Sequence, residues 1–138
     1  MDNEDSEKND NRFDIELGND GIIYLTLGGK LKGLNLVALQ KWTDEVHKAV
    51  KDRYENTYVA VNVVIDIKEV SEYAPEAVTL LTNLLVADKN YVHRSATFGG
   101  SNYILMAQDM LASLSGRSNF KSFNTKEEAV DWVKSTDS

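Results

Sequence analysis

The chain contains no cysteine, a single proline and only two histidines in 138 residues. Without cysteine there is no disulfide and no thiolate chemistry, which fits a reducing cytoplasm. No apolar run approaches the roughly 18 residues of a membrane-spanning helix, so no membrane insertion is expected. The amino-terminal stretch is acidic and polar, where a signal peptide is basic and then apolar. Basic charge is also short: 15 Lys and Arg stand against 22 Asp and Glu, a net charge of −7. Nucleic acid and anionic membranes are therefore poor partners at long range. A soluble, cytoplasmic chain is the expectation.

What is present is enough for one domain, since a chain of this length buries roughly two thirds of its unfolded surface around a single core. Residues 1–11 hold Asp2, Glu4, Asp5, Glu7 and Asp10 against Lys8, which puts −4 in this stretch and leaves −3 for the rest. With no large apolar residue beyond Met1, the stretch cannot repay its ordering entropy and reads as a disordered acidic tail. An acidic interaction arm is the other reading of such a charge run. The domain is expected over residues 12–135, with 136–138 as a short tail and no repeat, linker or second domain.

Residues 12–17 alternate, with Phe13, Ile15 and Leu17 on one face, and residues 21–27 resume extended structure after Gly18-Asn-Asp-Gly21. Together they predict an antiparallel hairpin, broken at Gly28-Gly29. A helical pattern runs from Asn35, as its cap, to about Tyr54, with Leu36, Leu39, Val46, Ala49 and Val50 on one face. Residues 59–66 are β-branched, apolar on both faces except Asn62, and end in Asp66, the pattern of a central strand. A helix between this strand and the hairpin makes a crossover, so the strands it joins are expected to be parallel.

A short polar turn then leads to Pro75, pre-set for a first helical position, with Glu76 beside it at the positive end of the helix. The helix predicted from 75 to about 91 is apolar over more than one stripe, which suggests burial against the sheet and a second surface. A strand follows near 94–98, and then a helix from Ser101, as its cap, to about Leu114. Its Ile104, Ala107, Leu111 and Leu114 face inward, with Tyr103, Met106 and Met110 as a neighbouring stripe. Residues 119–123 alternate as a last strand. Thr125 and Glu128 have the spacing of a capping box at the start of the final helix. The fold class is thus α/β: a small mixed sheet of about five strands with about four helices, a hairpin first and then alternating helix and strand.

Chemistry is sparse. Gly28-Gly29 and Gly99-Gly100 lack the spacing of a phosphate-binding fingerprint, and sharp turns are the favoured reading. His47 and His93 have no Cys or His companion at ligand spacing, so neither a metal nor His-based catalysis is expected. Asp66 fits a turn cap better than a base. Glu69, Glu72 and Glu76 match no calcium loop and read as a solvated rim. Trp42 and Trp132 sit near amphipathic boundaries, open to core, edge or interface. For Tyr103, Met106 and Met110 the core is favoured and a partner surface is second. No cofactor and no enzyme activity are expected.

The run Val63-Val-Ile-Asp-Ile-Lys-Glu-Val-Ser-Glu-Tyr-Ala-Pro-Glu-Ala-Val78 resembles STAS domains, the modules of sulfate transporters and anti-sigma-factor antagonists. Gly28-Gly-Lys-Leu, Ala96-Thr-Phe-Gly-Gly and Phe123-Asn-Thr-Lys-Glu-Glu-Ala-Val-Asp-Trp-Val133 resemble its branch like the stage II sporulation protein AA. The resemblance covers about residues 13–134. It implies non-enzymatic protein recognition, often switched by phosphorylation of a serine about nine positions after a strand-ending Asp or Asn. Here that count from Asp66 reaches Ala74, Pro75 and Glu76, so the usual acceptor is missing. Ser71 is the nearest replacement, although Glu69 and Glu72 beside it would repel a phosphate, and Thr79 lies already inside the helix. The candidate surface is therefore Asp66, Ser71, Glu72, Tyr73, Glu76 and Thr79, with Tyr103, Met106 and Met110 as a second patch. The expected partner is another protein or a second copy of the chain. The alternative is a carrier of a small apolar ligand or lipid, with the helix from Pro75 lining a pocket.

Overall fold

The computed structural model describes residues 11–135. The acidic tail expected at 1–11 lies outside these residues except for Asn11, as do residues 136–138. The elements are β1 (Arg12–Leu17), β2 (Ile23–Leu31), α1 (Asn35–Thr57), β3 (Val61–Asp66), β4 (Val70–Tyr73), α2 (Pro75–Ala87), β5 (Val92–Phe98), α3 (Asn102–Ser115), β6 (Phe120–Phe123) and α4 (Lys126–Lys134). The strands form one mixed sheet in the order β1-β2-β3-β5-β6, with β4 paired to β2 off this path. As expected, β1 and β2 are antiparallel and β2 and β3 are parallel across the α1 crossover; β3–β5 and β5–β6 are parallel too.

The glycine pair does not end β2. Ile23 to Thr26 pair with β3, and Gly29 to Leu31 pair with β4, with a register shift between Gly29 and Lys30. Gly29 has φ +95°, where a side chain is strained, and its N–H donates to the Glu69 carbonyl at 2.9 Å. The glycines therefore let one strand bend and change partners. This exchange makes Val70–Tyr73 a sixth strand where the sequence reads as a turn. The strand expected from 59 starts at Val61, because Tyr58 ends α1 in the left-handed region at φ 56° and leaves Val59 exposed.

The sheet is covered unequally. On one face Leu25, Leu27, Leu31, Val61 and Val63 pack with Leu39, Trp42, Val46 and Val50 of α1, Ala77, Leu81 and Leu85 of α2, and Ile104 and Leu111 of α3. On the other, Ile22, Val64, Ala96 and Phe98 meet only Ala129 and Val133 of α4 among the buried residues. Thr125 and Glu128 close the expected capping box at the start of α4, and Ser101 accepts from the Ile104 amide at the start of α3. Asn35 is the first residue of α1 rather than its cap; its side-chain amide donates to the Lys30 carbonyl at 2.7 Å and holds the helix to the end of β2.

A buried polar cluster ties α2 to β5 and to the segment before β6. Arg117, 4% exposed, donates to the Leu85 carbonyl, the Ser95 hydroxyl and the Asn119 side-chain oxygen. Asp88, at the end of α2 and equally buried, meets the His47 Nδ1 at 2.7 Å. Burial pushes the Asp88 carboxyl up from its ordinary value against the opposing pull of His47 and Arg117, and lowers Arg117. His93 meets the Asn62 side-chain oxygen. Both histidines thus have structural partners, and among the described residues no group of three or more His, Cys, Asp or Glu is placed to hold a metal ion.

Candidate functional site

The carboxyl ends of β2 and β4 set the site. Leu31 pairs with Tyr73, and the Ala74 N–H donates to the Leu31 carbonyl at 2.9 Å. The chain leaves one strand into α1 and the other into α2, so the starts of these helices lie side by side. Pro75 occupies the first turn of α2 with Glu76 exposed next to it, and the Thr79 hydroxyl donates back to the Pro75 carbonyl. Glu72 forms an ion pair with Lys32 at 3.3 Å across the two strands, and Ser71 is exposed on β4.

The start of α1 adds two residues that the sequence reading passed over. Leu34 is 87% exposed and Val37 74%. At about 100° per residue, Val37 lies far round the helix from Leu39 and Val46. That offset from the apolar stripe was the available signal.

Tyr73 is not at the surface. It is buried under α3, where its hydroxyl accepts from the Gln108 side-chain amide at 2.8 Å, and burial raises its pKa well above the usual range. It supports the site from beneath. Asp66 is elsewhere too: it faces the side of the sheet covered by α4, its Oδ1 accepts the Lys68 N–H at 2.9 Å as a turn cap, and its Oδ2 lies 3.6 Å from the Lys68 ammonium.

The core reading of the α3 stripe is overturned. Ile104, Gln108, Leu111 and Ser115 take the inward positions, and Tyr103, Met106, Met110 and Leu114 are exposed, Met106 at 71%. Leu114, expected inside, falls on this outer row because Ser115 is the residue that meets the core. Trp42 is core, with its indole N–H donating to the Asp14 carbonyl, and Trp132 is half-buried beneath Arg94. A space of about 40 Å³ lies among Leu27, Leu81, Leu85, Leu111 and Gln108. This is far below the roughly 300 Å³ at which small-molecule pockets begin, so this part of the core does not favour an apolar carrier.

No helix among the described residues is long and apolar enough to cross a membrane. Compared by sequence, the chain matches no family model and no curated protein. Solved structures are similar to it. The unphosphorylated form of the anti-sigma factor antagonist SpoIIAA is 17% identical over 89% of this chain and 96% of its own, with a TM-score of 0.64. An uncharacterized Shewanella loihica protein with a SpoIIAA-like fold is 20% identical over 88% and 92%, with a TM-score of 0.62. The phosphorylated form of SpoIIAA, described as a Bacillus cell fate determinant, is 15% identical over 89% and 100%, with a TM-score of 0.56. In its fold, the chain is a STAS-like α/β domain of the SpoIIAA type.

Proposed function

We propose that this chain is a non-enzymatic, regulatory protein-recognition module whose contact surface is built from the starts of α1 and α2, with the outer row of α3 as a second patch. The observation that carries this reading is the row of Tyr103, Met106, Met110 and Leu114, four large apolar side chains exposed along one side of a single helix. Contiguous apolar surface of this kind costs solubility and marks contact sites, and methionine adapts to an irregular partner. The likeness to SpoIIAA, described as an anti-sigma factor antagonist, supports a regulatory role. The partner is another protein or a second copy of this chain, bound through apolar burial with Glu76 and Thr79 as polar anchors.

Recognition here runs without the usual phosphoserine switch. Ser71 is exposed, but Glu72 follows it and Glu69 lies two residues before it, so a phosphate there would meet like charge. Ser71 is the nearest replacement acceptor on this surface, and phosphate found at Ser71 in protein taken from its own cells would restore the switch.

Glu76→Lys tests the surface. The side chain is exposed, and its loss from the positive end of α2 costs at most about 1 kcal/mol of stability. The expected result is at least a tenfold weaker capture of the partner by the tagged chain, with a nearly unchanged urea midpoint. Undiminished capture would remove the start of α2 from the interface.

A further inference from the structure

The face of the sheet opposite α1, α2 and α3 is covered by the nine residues of α4, which pack against β3, β5 and β6. The β1–β2 side of this face stays open, and a cavity of about 540 Å³ lies there, within the roughly 300–1,000 Å³ of small-molecule sites. Its floor follows from register. Tyr24 pairs with Val64, Thr26 pairs with Asp66, and Asp66 pairs with Phe98, so these side chains form two adjoining cross-strand rows.

Charge of both signs lines this floor, and two of its carboxylates already face lysines, Asp66 at 3.6 Å from Lys68 and Asp20 at 3.9 Å from Lys134. The β1 side carries Glu16 and, from the hairpin turn, Asp20; the α4 and β3 side carries Lys126 and Lys68. Asp20 is committed, accepting from the Tyr24 hydroxyl at 2.7 Å and the Ile22 amide at 3.1 Å. Burial first and then this hydrogen bond raise Tyr24 to about 12, so the ring stays neutral and its hydroxyl remains a donor to Asp20. The Lys126 ammonium stands 4.9 Å from the Tyr24 ring centroid, a contact that leaves its N–H donors free for an anion, whereas the Lys68 ammonium, 5.8 Å from the Phe98 ring centroid, already faces Asp66 at 3.6 Å. The side chains of Glu16 and Thr26 have no hydrogen-bond or ion-pair partner among the described residues.

We infer that this cavity binds a small zwitterion, with its ammonium or guanidinium end toward Glu16 and Thr26 and its carboxylate or phosphate end toward Lys126. An anion alone would leave Glu16 unanswered, and a cation alone would leave Lys126 unanswered. A molecule carrying both charges satisfies both walls, and its apolar part lies over Tyr24, Val64 and Phe98. The site lies on the other side of the sheet from the α1–α2–α3 surface, so the two readings stand or fall separately.

The test is amide NMR titration of the whole chain with free amino acids and, separately, O-phosphoethanolamine, each at about 5 mM, which detects millimolar affinity. Acetate and ethylamine serve as single-charge controls. The expected result is saturable shifts at Tyr24, Thr26, Val64 and Phe98 with at least one zwitterion. Glu16→Gln and Lys126→Gln, both at exposed positions that tolerate substitution, should each weaken binding at least fivefold. The response to O-phosphoethanolamine against that to the amino acids tells a phosphate end from a carboxylate end. No shift with any zwitterion, shifts that survive both substitutions, or equal shifts with acetate or ethylamine would overturn the inference.

Discussion

Arg117→Ala is expected to destabilise the domain by about 3–5 kcal/mol at neutral pH, the cost of breaking a buried charged cluster by removing one member. The guanidinium satisfies the Leu85 carbonyl at 3.4 Å, the Ser95 hydroxyl at 3.0 Å and the Asn119 side chain at 2.9 Å. Each loses its partner in a place that water reaches poorly, and Asp88 keeps its charge with only His47 to answer it. The pH dependence has a definite sign. Burial raises the Asp88 carboxyl above its ordinary value of 3.8, so its ionised form costs the folded state stability. That cost is absent below the unfolded value and grows as pH rises from there through the folded value. The deficit of Arg117→Ala should therefore be larger at neutral pH than near pH 4, as read from urea unfolding at both. An equal deficit at the two values would place Asp88 outside the cluster's electrostatics.

Ile104→Ala is expected to cost about 2–5 kcal/mol, the range for truncating a fully buried branched side chain. Ile104 is 1% exposed and packs tightly against the chain before α3: a Cβ added at Gly100 would fall 3.2 Å from the Ile104 side chain and 2.9 Å from that of Ile67. Truncation opens a space beneath the first turn of α3 that this tight approach cannot close. Met106→Ala, two residues on, should change stability by less than about 0.5 kcal/mol, because its side chain is in water. The contrast checks which way α3 faces, and comparable losses in the two variants would turn the helix round.

What could be read from the sequence was what is local. The hairpin at Gly18 to Gly21 and the caps at Ser101 and Thr125 each depend on neighbours within a few positions, the α1 crossover follows from the order of the elements alone, and each is present. β4 could not be read this way. Its four residues follow a charged turn, and they are a strand only because Gly29 lets β2 bend away and offer them hydrogen bonds some forty residues upstream. By sequence Tyr73 falls in a surface turn, whereas pairing with Leu31 and the reach of Gln108 put it inside. Met106 and Met110 read as core by composition, since periodicity alone does not say how much of a broad apolar helix its neighbours cover. The cavity on the α4 side rests on register between four strands, which no single stretch reveals.

The account stands on the surface of α2 and α3 being where a protein docks. The most direct measurement is site-specific photo-crosslinking in the chain's own cells, with a benzophenone amino acid placed in turn at Thr79, at Met106 and, as a control, at Lys51, an exposed position near the far end of α1. The account predicts one discrete crosslinked species, a single heterologous protein or a dimer of this chain, from Thr79 and Met106 and none from Lys51. No adduct at Thr79 or Met106, or the same adduct from all three positions, would contradict it.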